Sequence, residues 1–172
     1  ALRFVHRDED GRVRYHDAAR AYLASRGRTN APDRWRAAHG RALAHFDALA
    51  AAEGDGRADW WYEALYHRLV ADEAAGLREL HERFDRALWE HRPGLAERVV
   101  AAAVEARPDL SEAGRWRVRL LDAELARHVG RGDAGRAELS ALAADAPDAR
   151  VRAEASIALG EADLAASRWS GA

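Results

Sequence analysis

Apolar residues along this chain recur with helical spacing through nearly all of its length. From Tyr15 they fall at positions 15, 18, 19, 22 and 23, the i, i+3, i+4, i+7, i+8 pattern of a single helix face. Asp17 stands where an N-cap belongs, so a first helix is expected over 18–25, ended by Gly27. Asn30-Ala31-Pro32 opens a second, with Pro in its tolerated first turn. Its stripe of Trp35, Ala38, Ala42, Leu43, Phe46, Leu49 and Ala50 runs to about Glu53. A third helix, over 58–71, carries Trp61, Leu65 and Leu69 along one row and Tyr62, Tyr66 and Val70 along the next. A face that broad needs cover on two sides.

Asp72 caps a fourth helix whose inward positions are Leu77, Leu80, Phe84, Leu88 and Trp89, closed by His91-Arg92-Pro93-Gly94. Residues 95–106 form a fifth, built of small side chains and stopped by Pro108. Ser111 caps the sixth, with Trp116, Leu120, Leu121, Leu125 and Val129 on its buried face before Gly130-Arg131-Gly132. Helices over 133–146 and 148–167 bring the expected number to eight. Ahead of them, Phe4 and Val5 face Val13 and Tyr15 across the turn Asp8-Glu9-Asp10-Gly11, which suits a small β-hairpin. Short links between helices imply antiparallel helical hairpins. The fold expected is therefore all-α with a small N-terminal β-hairpin.

Composition supports helices and narrows the partners. Hydrophobic residues make up 48%, but about a quarter of the chain is Ala, and closely packed helices are the natural way to bury so many small side chains. Charged residues of mixed sign make up 33% with a net charge of −2, which creates no field favouring nucleic acid or an anionic membrane. All 27 cationic residues are Arg, a bias that a GC-rich coding sequence produces without any phosphate ligand. Cys is absent, which removes disulfides, thiolate nucleophiles and Cys-ligated metals. No apolar run approaches the ~20 residues that span a bilayer, and no signal peptide opens the chain, so a cytoplasmic location is expected. The absence of Met and the end at Trp169-Ser170-Gly171-Ala172, inside a repeat-like segment, lead us to expect a fragment of a larger protein.

The repeat lies in the last third. Gly132-Asp133-Ala134-Gly135-Arg136-Ala137 and Ser167-Arg168-Trp169-Ser170-Gly171-Ala172 are 35 residues apart, close to the period of tetratricopeptide helix pairs. Leu159-Gly160, Trp169 and Ala172 resemble that family's Leu-Gly pair, turn aromatic and small second-helix residue. The earlier copy departs from the pattern, with Glu124-Leu125 in place of Leu-Gly and Pro147 two residues early. The resemblance implies helical hairpins stacked as a right-handed tetratricopeptide-like superhelix.

The segment Arg12-Val13-Arg14-Tyr15-His16-Asp17-Ala18-Ala19-Arg20-Ala21-Tyr22-Leu23 resembles the end of the winged-helix domain in STAND-class ATPases, the group containing NB-ARC and NACHT switch proteins. Tyr15-His16-Asp17 matches the family's "MHD" signature, with Tyr replacing Met. The stretch from Trp35 to His45, followed by Trp61-Tyr62-Glu63-Ala64-Leu65-Tyr66-His67-Arg68-Leu69, is similar to bacterial members. The resemblance covers roughly residues 4 to 75. It implies that His16 contacts the β-phosphate of ADP in the intact parent, with Tyr15 and Asp17 supporting the turn; a helix start suits an anion. No GxxxxGK[ST] phosphate loop occurs here, so this chain is expected to be non-enzymatic and to hold no cofactor itself, ADP or ATP with Mg²⁺ belonging to the parent.

The implied organisation is the end of a winged-helix domain over 1–29, a helical linker or arm over 30–110 and tetratricopeptide-like repeats over 111–172. Its role would be regulation and protein interaction within a nucleotide-switched ATPase of signalling, transcription or defence. The alternative is a free-standing scaffold that binds a peptide or protein. Trp60, off the buried stripe of its helix, is a candidate partner contact, and Arg115, Arg117 and Arg119 around Trp116 could meet an acidic peptide or domain. Partners expected are a protein or peptide ligand or self-association of the parent, not nucleic acid or membrane. The eight His include no i, i+4 pair and no HExxH, so no metal site is expected. No catalytic constellation is legible.

Overall fold

Local helix signals account for most of the architecture, and a few long-range contacts account for where the helices stop. The computed structural model describes residues 5–7, 13–15, 17–53 and 59–169, with side chains described over 18–19, 21–52 and 60–164. Strands β1 (Val5–Arg7) and β2 (Val13–Tyr15) pair antiparallel, with Val5 opposite Tyr15 and Arg7 opposite Val13. Among the described residues eight α-helices follow. They are α1 (Asp17–Asn30), α2 (Pro32–Glu53), α3 (Asp59–Ala71), α4 (Glu73–Trp89), α5 (Pro93–Ala106), α6 (Glu112–His128), α7 (Gly132–Asp145) and α8 (Ala149–Trp169). A single 3₁₀ turn, Arg107–Asp109, joins α5 to α6. The chain is all-α in class.

Helix α1 corrects the first expectation. It begins at Asp17, one residue early, and runs through Gly27 to Asn30 instead of ending near Ser25. Gly usually costs about 1 kcal/mol inside a helix. Here it makes room for a neighbour, since a Cβ on Gly27 would lie 2.6 Å from the Trp35 ring. One residue, Ala31, separates α1 from α2, and Pro32 at the first position of α2 removes the donor that would continue α1.

Of the three expected caps, Asp72 and Ser111 are present, and the Asp17 side chain lies outside the described residues. Asp72 accepts from the Ala75 N–H at 3.0 Å, and Ser111 Oγ accepts from the Gly114 N–H at 3.1 Å. The Ser111 cap is itself held from a distance: its N–H and Oγ–H both donate to the Glu73 carboxylate, at 2.8 and 2.5 Å. Glu73 in the first turn of α4 thus fastens the start of α6. Helices α4 and α6 also end alike. His91 and Gly130 take the left-handed conformation (φ 53° and 79°), and the following Arg92 and Arg131 N–H groups reach back to Ala87 and Ala126 carbonyls.

Each helix from α2 onward packs on the next, and contacts also join α3 to α5, α4 to α6 and α6 to α8. The result is two layers, with α4, α6 and α8 sharing one of them. Close approach is possible where Gly replaces a side chain: a Cβ on Gly76 would meet the Leu69 backbone at 2.6 Å, and one on Gly135 the Ala123 carbonyl at 2.6 Å. Leu65, Leu69, Leu80, Phe84, Val99, Val118, Leu121 and Leu125 form the larger core, and Leu120, Leu139, Leu142, Val151 and Ala155 the smaller. Trp89 is not inward as expected: it is 86% exposed, because it lies one residue beyond the Leu80–Phe84–Leu88 row, in the last turn of α4.

Candidate functional site: a groove along α4, α6 and α8

Three helices of one layer enclose an open groove. Successive helices alternate in direction, so α4, α6 and α8 run the same way, and their first halves meet at one end of the groove. There Leu77, Leu80, Leu120 and Leu121 floor a cavity of about 550 Å³, with Arg78, Arg117 and Arg150 among its rim residues. Arg150 is paired with Glu154 at 2.6 Å, and Arg117 lies 3.9 Å from Asp148.

The second halves form the other end, a cavity of about 240 Å³ with Leu88, Ile157 and Ala158 as apolar walls. Glu124, Glu154 and Glu161 line it with a single Arg, Arg127, and a His, His128. Burial pushes the Glu124 carboxyl up to about 7; Asp85, Glu154 and Glu161 push the same way and Arg127 opposes them. Burial also lowers His128, helped by Arg127 and opposed by Glu161. Ile157 remains 63% exposed at this end. The same three helices thus line two cavities, a larger one floored by Leu side chains and a smaller one where Glu124 and Glu161 stand beside Arg127.

A second cluster lies between α2 and α3. His39, 6% exposed, places its Nδ1 2.8 Å from Nδ1 of His67, so one ring donates and the other accepts. Trp35 and Tyr66 meet His39 edge-on, and Phe46 stacks on His67 at 5.4 Å. Burial lowers both rings, His67 to about 4 with His39 contributing; at His39 Asp109 acts in the raising direction and Arg28 in the lowering one. Among the described residues no third His, Asp or Glu completes a metal-binding group with them. The Asp109 side chain on the 3₁₀ turn is almost wholly buried; it accepts from Trp35 Nε1 at 2.7 Å and Arg28 Nη1 at 3.3 Å. Two hydrogen bonds thus tie α1 and α2 to the rest of the stack.

No known protein family, curated protein or solved structure matches this chain.

The residues singled out from the sequence are placed unevenly. His16 lies outside the described residues, and the side chains of Tyr15 and Asp17 lie outside the described ones, although Tyr15 ends β2 and Asp17 begins α1. Trp60 is partly buried and stacks on Phe46 at 5.7 Å, which places its ring in the α2–α3 contact. Arg119 lies over the Trp116 ring at 4.4 Å and donates to Glu138 at 2.8 Å, while Arg115 is exposed. Of the three, Arg117 alone lines the groove. The His39–His67 pair and the acidic end of the groove were missed, because each is assembled across helices far apart in sequence. A polar His on an otherwise apolar stripe, twice in succeeding helices, was the available signal for the first.

Proposed function

We propose that this chain is a non-catalytic regulatory and protein-interaction arm, with the α4–α6–α8 groove as its binding surface. The groove carries the reading: an open cavity with an apolar floor and a polar rim, lined by α4, α6 and α8, is the kind of surface on which stacked hairpins receive partner segments. Its parent is a cytoplasmic STAND-type ATPase, and the arm there is tetratricopeptide-like, with the N-terminal strands as the remnant of a winged helix. What supports this is the Tyr15-His16-Asp17 junction, where β2 ends at Tyr15 and α1 begins at Asp17. In that parent His16 contacts the phosphate of ADP, and the arm holds the resting state until a ligand, protein or second copy engages it. Among the described residues no helix is long and apolar enough to cross a membrane.

The encoded sequence on the N-terminal side of Ala1 tests the switch. A GxxxxGK[ST] loop within the ~300 preceding residues supports it, and its absence leaves a free-standing scaffold using the same groove. In the parent, His16→Ala should accelerate ADP release or activate the protein without ligand. Unchanged nucleotide exchange and activity would overturn the assignment of His16.

A further inference from the structure

The exposed crest of α4 is spaced to meet a second copy of itself. Arg78, Glu82, Asp85 and Trp89 stand at i, i+4, i+7 and i+11, and eleven residues close three helical turns to within about 20°, so the four share one exposed row. Trp89 is 86% exposed, more than any other large apolar residue among those described. About 16 Å back along the row, Arg78 and Glu82 stand on the rim of the cavity of about 550 Å³ floored by Leu77, Leu80, Leu120 and Leu121. One face of one helix thus carries both a projecting indole and an apolar recess. The side chains of Arg78, Glu82 and Arg86 make no hydrogen bond or ion pair among the described residues. Arg83 beside them is held by Glu79 at 2.7 Å.

We propose that two copies of this chain pair through α4, antiparallel about a two-fold axis between Arg83 and Phe84, each inserting Trp89 into the Leu-floored cavity of the other. This names a partner for the cavity proposed above as the binding surface, and it rests on that reading. The row sets the alignment. With the axis there, Trp89 of each copy comes level with Arg78 of the other at the mouth of the cavity, where a guanidinium can lie over the indole. Arg86 comes within one residue of the other copy's Glu82, and two unpaired side chains gain a partner. A parallel alignment would set Arg78 on Arg78 and Glu82 on Glu82, like charge on like. The crest holds Arg78 and Arg86 against Glu82 and Asp85, so it has no charge excess to repel a second copy. Asp85, which comes level with the other copy's Glu82, is engaged on its own helix by His81 at 3.4 Å. Such a contact is isologous and closes at two copies. A Trp seated in a pocket is the kind of anchor that dominates an interface, and a contact through one helix per copy belongs to the small, transient class.

Sedimentation velocity of the whole chain from about 10 µM to about 1 mM, a range that spans weak association, should show a monomer–dimer equilibrium. Growth beyond the dimer would overturn the two-fold arrangement. Trp89→Ala, at an exposed site, should weaken dimerisation at least tenfold with the circular dichroism spectrum unchanged, since the substitution enters the dimer twice; an undiminished dimer overturns the proposal. Arg86→Glu sets carboxylate against carboxylate and should weaken it at least fivefold, and adding Glu82→Arg to that variant should restore it. No recovery in the double variant refutes the antiparallel alignment. The cavity is probed separately with N-acetyltryptophanamide and the Trp89→Ala chain, where the Leu77, Leu120 and Leu121 amide signals are expected to shift. A wild-type chain that stays monomeric overturns the pairing; if those signals still shift, the cavity stands as a binding surface for another partner. A monomeric chain whose signals do not move overturns both.

Discussion

Two half-buried groups, His67 and Glu124, oppose one another in the pH dependence of stability. The His67 ring is pushed from 6.5 to about 4 by burial and by His39, and the Glu124 carboxyl from 4.5 to about 7 by burial and by its acidic neighbours. His67 lowers stability when protonated. Above 6.5 it is neutral folded and unfolded and costs nothing; as pH falls from 6.5 towards 4 the unfolded chain takes up its proton first, and stability falls. Glu124 lowers stability when ionised. Below 4.5 it is neutral in both states; as pH rises from 4.5 to 7 the unfolded chain ionises first, and stability again falls. Integrated between pH 5 and 7.5, each contributes about 2 kcal/mol in opposite directions, and about 1 kcal/mol once solvent screening of these partly exposed groups is allowed for.

The wild-type chain should therefore show little change in urea midpoint between pH 5 and 7.5. Glu124→Gln keeps the shape and removes the ionisation, so its stability should rise with pH by at least about 1 kcal/mol, the His67 contribution with those of His39 and His128 acting in the same direction. His67→Phe keeps the stacking on Phe46 and should show the reverse slope, on a lower baseline because His39 loses its hydrogen-bond partner. Ring ¹⁵N shifts should report one Nδ1-protonated and one Nε2-protonated tautomer at pH 7. If Glu124→Gln leaves the pH profile of the wild type unaltered, the opposing-group argument is wrong.

Three further outcomes follow from contacts outside the groove. Asp109→Ala strips Trp35 Nε1 and Arg28 of their buried acceptor, at about 1.5–3 kcal/mol. Hydrogen exchange should show α1 and the start of α2 losing protection while α6 keeps its own; uniform loss would mean that the clamp is not local. Gly76→Ala forces a Cβ onto the Leu69 backbone and should destabilise by about 1–3 kcal/mol, whereas Gly160→Ala, with open space around it, should stabilise by about 0.5–1 kcal/mol in thermal denaturation. The same sign for both would refute the packing account. His91→Gly relieves a left-handed residue and should raise stability by about 1 kcal/mol, with Gly130→Ala lowering it similarly; no change at His91 would mean its side chain compensates the strain.

Signals confined to a few residues were readable in the sequence. Asp72 and Ser111 cap where their spacing to the following apolar stripe places them, and Leu80 and Phe84 are buried on α4 with Leu88 half-buried in the same row. Gly27 misled because a helix-breaking propensity of about 1 kcal/mol is smaller than the packing of a Trp against the gap it leaves. Trp89 misled because residue type outweighed position: one step past Leu88 turns the side chain by about 100° on a 3.6-residue helix, away from the covered face. The groove was hidden for another reason. Leu77, Leu120 and Leu121 read correctly as apolar positions, but whether such a residue lies under a neighbour or under a channel depends on which helices stand two elements apart. The Glu73–Ser111 and His39–His67 contacts span 38 and 28 residues, beyond any local pattern.

Under the proposed function, helix α6 is the element that would pass an effect of binding through the stack. Adjacent residues Leu120 and Leu121 belong to different cores, Leu120 to the one shared with α7 and α8, Leu121 to the one shared with α3, α4 and α5. In a stack whose elements touch only near neighbours, stability is carried by each interface in turn. The α6–α8 contact is slight beside those of α6 with α7 and α7 with α8, so α8 is joined to α6 chiefly through α7. A segment lying across α4, α6 and α8 adds a direct link over that weak seam, and its binding energy appears as resistance to separation of the two cores. At the other end, the Asp109 turn leads straight into α6 and also holds Arg28 and Trp35. The helix that floors the groove and the turn that anchors α1 are therefore continuous in the chain, which gives occupancy of the groove a short mechanical route to the N-terminal helices.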